Sequence, residues 1–136
     1  MKIFAPITKR DDDQRLVYGY ASTESRDNQG EIIKAEAIKE ALTDYMTFAN
    51  IREMHQPKAA GICESAELNE KGLYICAKIV DDDAWEKVKT GVYKGFSVGG
   101  QSISKADKVI TKMRMTEISL VDRPCNPECV IDIWKT

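Results

Sequence analysis

The chain has 136 residues, a length that predicts one domain, residues 1–136, with enough core to fold without disulfide bonds or metal ions. Its composition, 43% hydrophobic and 31% charged residues, is that of an ordinary folded protein and argues against disorder. The net charge of −2 disfavours nucleic acid as a partner, and no apolar run approaches the roughly 20 residues that cross a membrane. The first residues lack the apolar segment of a signal peptide, so we expect synthesis and folding in the cytoplasm.

The first half of the chain predicts a strand, a turn, a helix and further strands. Residues 15–23 are rich in β-branched and aromatic side chains, which is typical of a strand. They lead into a polar turn around Asp27 and Gly30. Residues 34–49 carry apolar side chains three and four positions apart, which indicates one face of an amphipathic helix. Three extended segments are expected after it, at residues 51–55, 59–66 and 72–80.

The second half predicts one more helix and three strands. Acidic residues 81–83 open the helix, lysines lie near its end and Gly91 terminates it, an order that suits the helix dipole. The strands are expected at residues 95–103, 113–121 and 129–134. Because the helices are few and several spacings suit hairpins, we predict a mainly β protein with flanking helices (α+β). Its core would be a small, mostly antiparallel β-barrel of about seven strands with two or more outer helices.

The segment Gly-Phe-Ser-Val-Gly-Gly at residues 95–100 is the first candidate for chemistry. Glycines on both sides of Ser97 permit close backbone approach, so that neighbouring amide N–H groups can point at one spot, as a nucleophilic serine requires. Taken alone, the same pattern is more often a β-bulge or a tight corner of a barrel. It is not the nucleophile elbow of the α/β-hydrolases, because strand-like residues flank it on both sides.

His55 is the only histidine in the chain and follows an extended segment. Imidazole is the usual base for activating a hydroxyl group, because it titrates near neutral pH. A single histidine is, by composition alone, more often a surface or capping residue. Its uniqueness still makes the hypothesis specific, since a serine activated by an imidazole in this chain can use only His55.

Glu117 is the candidate for a third member of the site. It lies in an otherwise apolar strand, where a buried carboxylate needs a partner, and a hydrogen bond to His55 would fix the tautomer of the imidazole. A solvent-facing position is the alternative, since Glu117 and Ser119 share one face of the strand. Asp122, at the end of the same strand, is the competing carboxylate.

The four cysteines are expected to be reduced thiols. Cys63 and Cys76 lie in apolar runs and are expected in the core. Cys125 and Cys129 form a C-x3-C pair, but this is not the spacing of the usual zinc knuckles, and only one histidine is present to complete a site. We therefore expect no metal and no other cofactor, and keep a zinc-binding interaction module as an alternative.

Four stretches in this order resemble the prohead serine proteases of tailed bacteriophages, in particular their XkdF-like branch. They are GYASTESRDNQGEII at residues 19–33, MHQP at 54–57 followed by Gly61, GFSVGG at 95–100, and EISLVDRPCNP at 117–127. The last is similar to the family signature E-x-S-L-V-x-x-P-A-N-P, with Cys125 where alanine is more frequent. The family is similar in fold to the herpesvirus maturation proteases (assemblins), a small β-barrel ringed by helices.

The resemblance implies a serine endopeptidase that processes scaffold and major capsid protein within the procapsid, in the host cytoplasm, with self-association as a further expectation. It implies Ser97 as nucleophile and His55 as base. The herpesvirus enzymes use a second histidine, which this chain lacks, so a carboxylate must substitute. Glu117 occupies the position of the signature and is preferred over Asp122.

Two questions stay open at the level of sequence. The oxyanion donors are expected among the backbone N–H groups near Val98 or Gly99, or in a loop supported by Arg123. A catalytically inactive protein of the same fold, acting as an assembly or scaffolding factor, is the main alternative to an enzyme.

Overall fold

The computed structural model describes residues 10–129 and residue 131, and this part of the chain contains eight strands and two helices. The strands are β1 (Arg10–Asp11), β2 (Leu16–Thr23), β3 (Ile32–Ile33), β4 (Asn50–Glu53), β5 (Gln56–Leu68), β6 (Gly72–Ile79), β7 (Gly95–Ala106) and β8 (Val109–Val121). The helices are α1 (Ala35–Phe48) and α2 (Asp82–Lys89). No helix among the described residues is long and apolar enough to cross a bilayer. The strand predicted at residues 129–134 falls largely on residues outside the described part.

The eight strands form one curled, mixed sheet that closes into a half-barrel. Its order is β1-β2-β6-β5-β4-β8-β3, and β7 pairs with the other edge of β8. Most neighbours are antiparallel, but β3 and β4 both run parallel to β8. The predicted mainly β fold with two helices is confirmed, and β8 is the strand on which the other elements of the site assemble.

Helix α1 covers β8 with the apolar face that its sequence period predicts. Its first N–H, on Ala35, donates to the Glu24 carboxylate at 2.6 Å, where a negative charge also complements the helix dipole. The helix is capped at its C-terminal end by Ala49, whose φ of 50° is left-handed and whose N–H donates to the carbonyl of Tyr45. The buried residues of α1 are Ala37, Ile38, Ala41 and Tyr45.

Helix α2 has the capping expected from its acidic start. The Asp81 carboxylate accepts a hydrogen bond from the N–H of Ala84 at 2.9 Å, which satisfies one of the free donors of the first turn. Lys87 and Lys89 lie in the last turn, and Gly91 adopts a φ of 84° just after it. The chain is thereby turned into β7, which carries the glycine-flanked serine.

The core is formed by buried residues of the sheet and of the two helices. Both Cys63 and Cys76 are buried in it, as predicted, and burial raises the pKa of Cys63 to about 12, which keeps this thiol protonated. The largest fully buried side chains are Tyr45, Phe96, Ile38, Ile51, Leu73, Ile75, Ile79, Met115, Ile118, Leu120 and Val17.

Candidate active site

Two strands supply most of the site. In the β7–β8 pair, Ser97 lies opposite Ser119 and Gly99 lies opposite Glu117. Residues directly opposite each other, and those two positions along each strand, share one face of a sheet. The register therefore places the hydroxyl of Ser97 and the carboxylate of Glu117 on the same side of the sheet.

His55 reaches this face from the tip of the β4–β5 hairpin. Glu53 pairs with Gln56, which leaves Met54 and His55 as the two turn residues, and their φ values of 53° and 57° are both left-handed. Such a two-residue turn matches the twist of a hairpin but usually contains glycine or asparagine. The sequence predicted an extended segment up to residue 55, so this turn is a difference from the expectation. Non-glycine residues held in this region store strain, which is common where a side chain must be aimed.

The turn is held by hydrogen bonds to β8. The Met54 N–H donates to the carbonyl of Leu120 at 2.9 Å, and the His55 N–H donates to Ser119 Oγ at 3.0 Å. These two bonds continue the parallel pairing of β4 with β8 into the turn. The imidazole is thereby placed over the part of β8 that carries Glu117.

The three side chains predicted from the sequence meet at this point. His55 Nε2 lies 3.0 Å from Ser97 Oγ, and His55 Nδ1 lies 2.5 Å from Glu117 Oε2. Glu117 is 5% exposed, so the alternative of a solvent-facing glutamate is wrong. Its second oxygen accepts the hydroxyl of Ser119 at 2.6 Å, so both carboxylate oxygens have a partner.

The electrostatics of the site favour a charged imidazole. The hydrogen bond that His55 donates to Glu117 raises the pKa of His55 above its ordinary value of 6.5, and the attraction of the carboxylate adds to this. Partial burial of the ring opposes the shift. A base held in this way can accept the proton of Ser97 and remain stabilised as imidazolium.

Gly99 is needed for space at the centre of the site. A Cβ atom at this position would lie 1.9 Å from Glu117 Oε2 and 3.1 Å from His55 Nδ1. Only a residue without a side chain lets the carboxylate lie against β7 and still reach the imidazole. The sequence indicated that glycine here allows a close approach, and the structure shows that the group approaching is the glutamate.

Alternation along β7 orients the backbone amides around Ser97. The Phe96 N–H points away from β8 and donates to the carbonyl of Cys129 at 3.0 Å. Because successive N–H groups of a strand point to opposite edges, the Val98 N–H points away from β8 as well, and the Gly99 N–H points towards it. This orientation favours Val98 over Gly99 as an oxyanion donor.

The remaining candidates lie away from the imidazole. Asp122 and Arg123 are exposed in the bend after β8, and neither is among the residues that line the cleft beside Ser97. The carboxylate of Asp122 lies near Tyr93, where it contributes to raising the pKa of that hydroxyl. Glu117, and not Asp122, is the carboxylate that contacts the imidazole.

A cleft of about 400 Å³ opens beside Ser97 and His55. Its walls come from the end of β2, the segment at residues 25–33, the two strands β7 and β8, and residues 125–126. Its lining mixes polar groups with the apolar side chains of Ala21, Ile33, Ile110 and Met113. The exposed part of the imidazole faces a space large enough for several residues of an extended chain.

The predicted cysteine pair does not form a metal site with other described residues. Cys129 is fully buried and Cys125 is partly exposed. Over residues 10–129 and 131, no group of three His, Cys, Asp or Glu side chains could hold a metal ion. The zinc-binding alternative therefore gains no support from this part of the chain.

Ser119 is the residue of the site that the sequence did not single out as functional. It is fully buried and contacts both the backbone of His55 and the carboxylate of Glu117. A signal was present, because Ser119 shares a strand face with Glu117 at a spacing of two residues. Its contact with His55 depends on the pairing of β4 with β8, which no local pattern predicts.

Comparisons with known proteins identify the family of the chain. Residues 4–106 match the sequence model of a family described as "Putative phage serine protease XkdF". The chain is 31% identical over 132 residues to the prohead protease of Escherichia phage T5, which covers 88% of this chain and 63% of that protein. It spans less than two thirds of the length of each of the three curated relatives that it matches.

Solved structures show the same fold. The capsid assembly protease of bacteriophage T4 superposes with a TM-score of 0.66 at 15% identity, over 78% of this chain and 80% of that one. The varicella-zoster virus protease superposes with a TM-score of 0.51 at 14% identity, over 77% and 56% of the two chains. Since the family match covers well over half of the residues, the resemblance seen in the sequence is confirmed, and the chain belongs to the XkdF family of phage serine proteases.

Proposed function

We propose that the chain is a serine endopeptidase in which Ser97 is the nucleophile, His55 the general base and Glu117 the carboxylate that orients the imidazole. The observation that supports this most directly is the relay of two hydrogen bonds, 3.0 Å from Ser97 to His55 and 2.5 Å from His55 to Glu117. The same order of hydroxyl, imidazole and carboxylate activates serine on unrelated folds.

The proposed reaction follows from the order in which the three side chains are hydrogen-bonded. Ser97 Oγ attacks the carbonyl carbon of a peptide bond while His55 Nε2 takes the hydroxyl proton, and Glu117 stabilises the imidazolium. His55 then gives this proton to the nitrogen of the leaving amine as the C–N bond breaks, which leaves an ester on Ser97. Water attacks the ester with His55 again as base, and the acid product and the free serine are released.

The negative charge on the carbonyl oxygen needs a donor close to Ser97. The Val98 N–H is the candidate that the direction of β7 supports, because it points away from the paired edge. The Gly99 N–H is directed at β8, and Arg123 is exposed outside the cleft. A backbone donor of this kind typically contributes a factor of about 10²–10³ to the rate.

The substrate proposed is a capsid or scaffold protein inside the procapsid of a phage, in the host cytoplasm. The names of two similar proteins, a prohead protease and a capsid assembly protease, support a role in capsid assembly, where such substrates occur. The cleft beside Ser97 is open at the surface and mixes polar and apolar lining, which suits an extended segment of protein. Association of the chain with itself belongs to the same proposal.

Covalent labelling tests the nucleophile. A fluorophosphonate should modify Ser97 of the assembled protein, and Ser97→Ala should abolish both labelling and cleavage of capsid or scaffold protein, a loss of about 10⁴-fold or more. Ser104→Ala, at an exposed position of β7, is the control for a serine lost from the same strand. Cleavage that persists in the Ser97→Ala protein would contradict the mechanism and favour an assembly factor of the same fold.

A further inference from the structure

Ser119 is a fully buried residue that connects Glu117 with the backbone of His55. Its hydroxyl donates to Glu117 Oε1 at 2.6 Å and accepts the N–H of His55 at 3.0 Å. We infer that Ser119 is a positioning residue, which fixes the carboxylate and the histidine turn relative to each other; this rests on the proposed protease function. It does not touch Ser97 Oγ through any hydrogen bond, so it acts through the other two members.

The contact with the turn matters because the turn is strained. His55 has a φ of 57° and Met54 a φ of 53°, and residues other than glycine adopt this conformation only in a small fraction of cases, methionine less often than histidine. A turn of this kind persists only where its surroundings determine it. The hydroxyl of Ser119 supplies one of the two hydrogen bonds that tie the turn to β8, the other being the Met54 N–H to the Leu120 carbonyl.

The contact with Glu117 selects one orientation of the carboxylate. With Oε1 held by Ser119, Oε2 is directed at His55 Nδ1. The Gly99 backbone bounds the carboxylate on the other side, so the group cannot rotate freely. A buried carboxylate oxygen needs a hydrogen-bond donor. Without the Ser119 hydroxyl, Oε1 should turn towards another donor, and this rotation should move Oε2 away from the imidazole.

A purely structural role is the alternative, in which Ser119 only satisfies buried polar groups. The two roles differ in what they predict for His55. A structural residue changes the free energy of unfolding and leaves the folded site as it was. A positioning residue changes the titration of the imidazole in the protein that remains folded, because the Glu117 contact is the largest cause of its shifted pKa.

The pair Ser119→Thr and Ser119→Val separates the hydroxyl from the volume. Threonine and valine have nearly the same shape and both suit a strand, so any strain from the added methyl group is common to both. Ser119→Ala removes the hydroxyl without adding volume and serves if both larger side chains prevent folding. His55 gives the only imidazole signal in an NMR titration, and Ser97 labelling by a fluorophosphonate gives the reactivity.

We expect Ser119→Val and Ser119→Ala to move the His55 midpoint down towards 6.5 and to slow labelling by about 10²-fold, the effect of a misplacement near 1 Å. Ser119→Thr keeps the hydroxyl, so its rate of labelling should be about tenfold higher than that of Ser119→Val. Equal midpoints in the threonine and valine variants, or a midpoint that rises in Ser119→Ala, would overturn the inference. If the wild-type chain is never labelled at Ser97, the protease proposal is overturned instead. The inference about Ser119 is still tested in that case, because the NMR midpoint of His55 is measured without any catalytic activity.

Discussion

Replacing Gly99 with alanine should separate Glu117 from His55 without removing any functional group of the site. The new Cβ atom would lie 1.9 Å from Glu117 Oε2, whereas Cβ atoms keep a distance of at least 3.0 Å from their neighbours. The carboxylate must therefore retreat by about 1.1 Å or more. When the retreat follows the line of the 2.5 Å bond to the imidazole, the separation reaches about 3.6 Å, which is no longer a hydrogen bond.

The size of the effect follows from this displacement. Misplacing a group by about 1 Å can slow an enzyme about 10²-fold, and loss of the orienting acid of a serine triad costs about 10⁴-fold. The rate of fluorophosphonate labelling of Ser97 should therefore decrease in Gly99→Ala by a factor between these two limits. The pKa of His55 should fall towards its ordinary value of 6.5, because the hydrogen bond to Glu117 is the first cause of its raised value.

A matched control is available on β5. A Cβ atom at Gly61 would lie 1.9 Å from the carbonyl oxygen of Lys78, an overlap of the same depth in another part of the sheet. Gly61→Ala should therefore lower the free energy of unfolding and leave the His55 titration where it is. A Gly99→Ala protein with the unchanged labelling rate and the unchanged pKa of His55 would refute the geometric argument.

Two more predictions concern titration and folding. Because only neutral His55 can accept a proton, labelling should rise as the pH increases, with a midpoint above 6.5 since its pKa is raised. Glu117→Gln should lower that midpoint and reduce the plateau by about 10⁴-fold, and an unchanged chain with a midpoint below 6.5 would contradict the pairing. Tyr93→Phe should lower the free energy of unfolding in urea by about 1–3 kcal/mol, because the buried carboxylate of Glu53 loses a donor at 2.7 Å. Tyr20→Phe, which removes a more exposed hydroxyl, should cost less, and equal losses would argue against the burial effect.

The sequence predicted the elements of the fold well because their signals are local. The apolar period of α1, the acidic cap of α2 at Asp81 and the β-branched runs of the strands all lie within ten or so neighbouring residues. The sequence also singled out the candidates Ser97, His55 and Glu117, because each is a chemically distinctive residue in a motif that resembles the phage proteases. The extent of the domain, residues 1–136, stays a prediction.

Long-range pairing set the limit of the prediction. Nothing near Ile51 or Ile118 in the sequence indicates that these two residues pair in parallel, yet this pairing decides which carboxylate meets the imidazole. The left-handed turn at Met54 and His55 was missed for a different reason, because neither residue carries the glycine or asparagine signal of such a turn. The part played by Ser119 depends on both features at once.

The site joins two units whose internal geometry is set separately. Ser97 and Glu117 belong to one antiparallel pair, so the register of β7 with β8 alone fixes their separation. His55 belongs to another hairpin, and its position depends on the parallel pairing that ends where Glu53 meets Leu120. Errors in that second pairing would displace the base while leaving the nucleophile and the acid in place. The alignment of the imidazole is therefore the feature of the site most exposed to changes elsewhere in the fold.

We expect substitutions around Glu53 to have the largest effect on the position of the imidazole. Glu53 lies two positions before His55 at the base of the hairpin and is 2% exposed. Its carboxylate accepts the hydroxyl of Tyr93, and the ammonium groups of Lys58 and Lys87 lie 3.4 Å and 3.7 Å away. A buried carboxylate is tolerated only while such partners surround it, so each of them also supports the turn. The charge cluster around Glu53 and the proposed base His55 are therefore linked directly through the backbone of the β4–β5 turn.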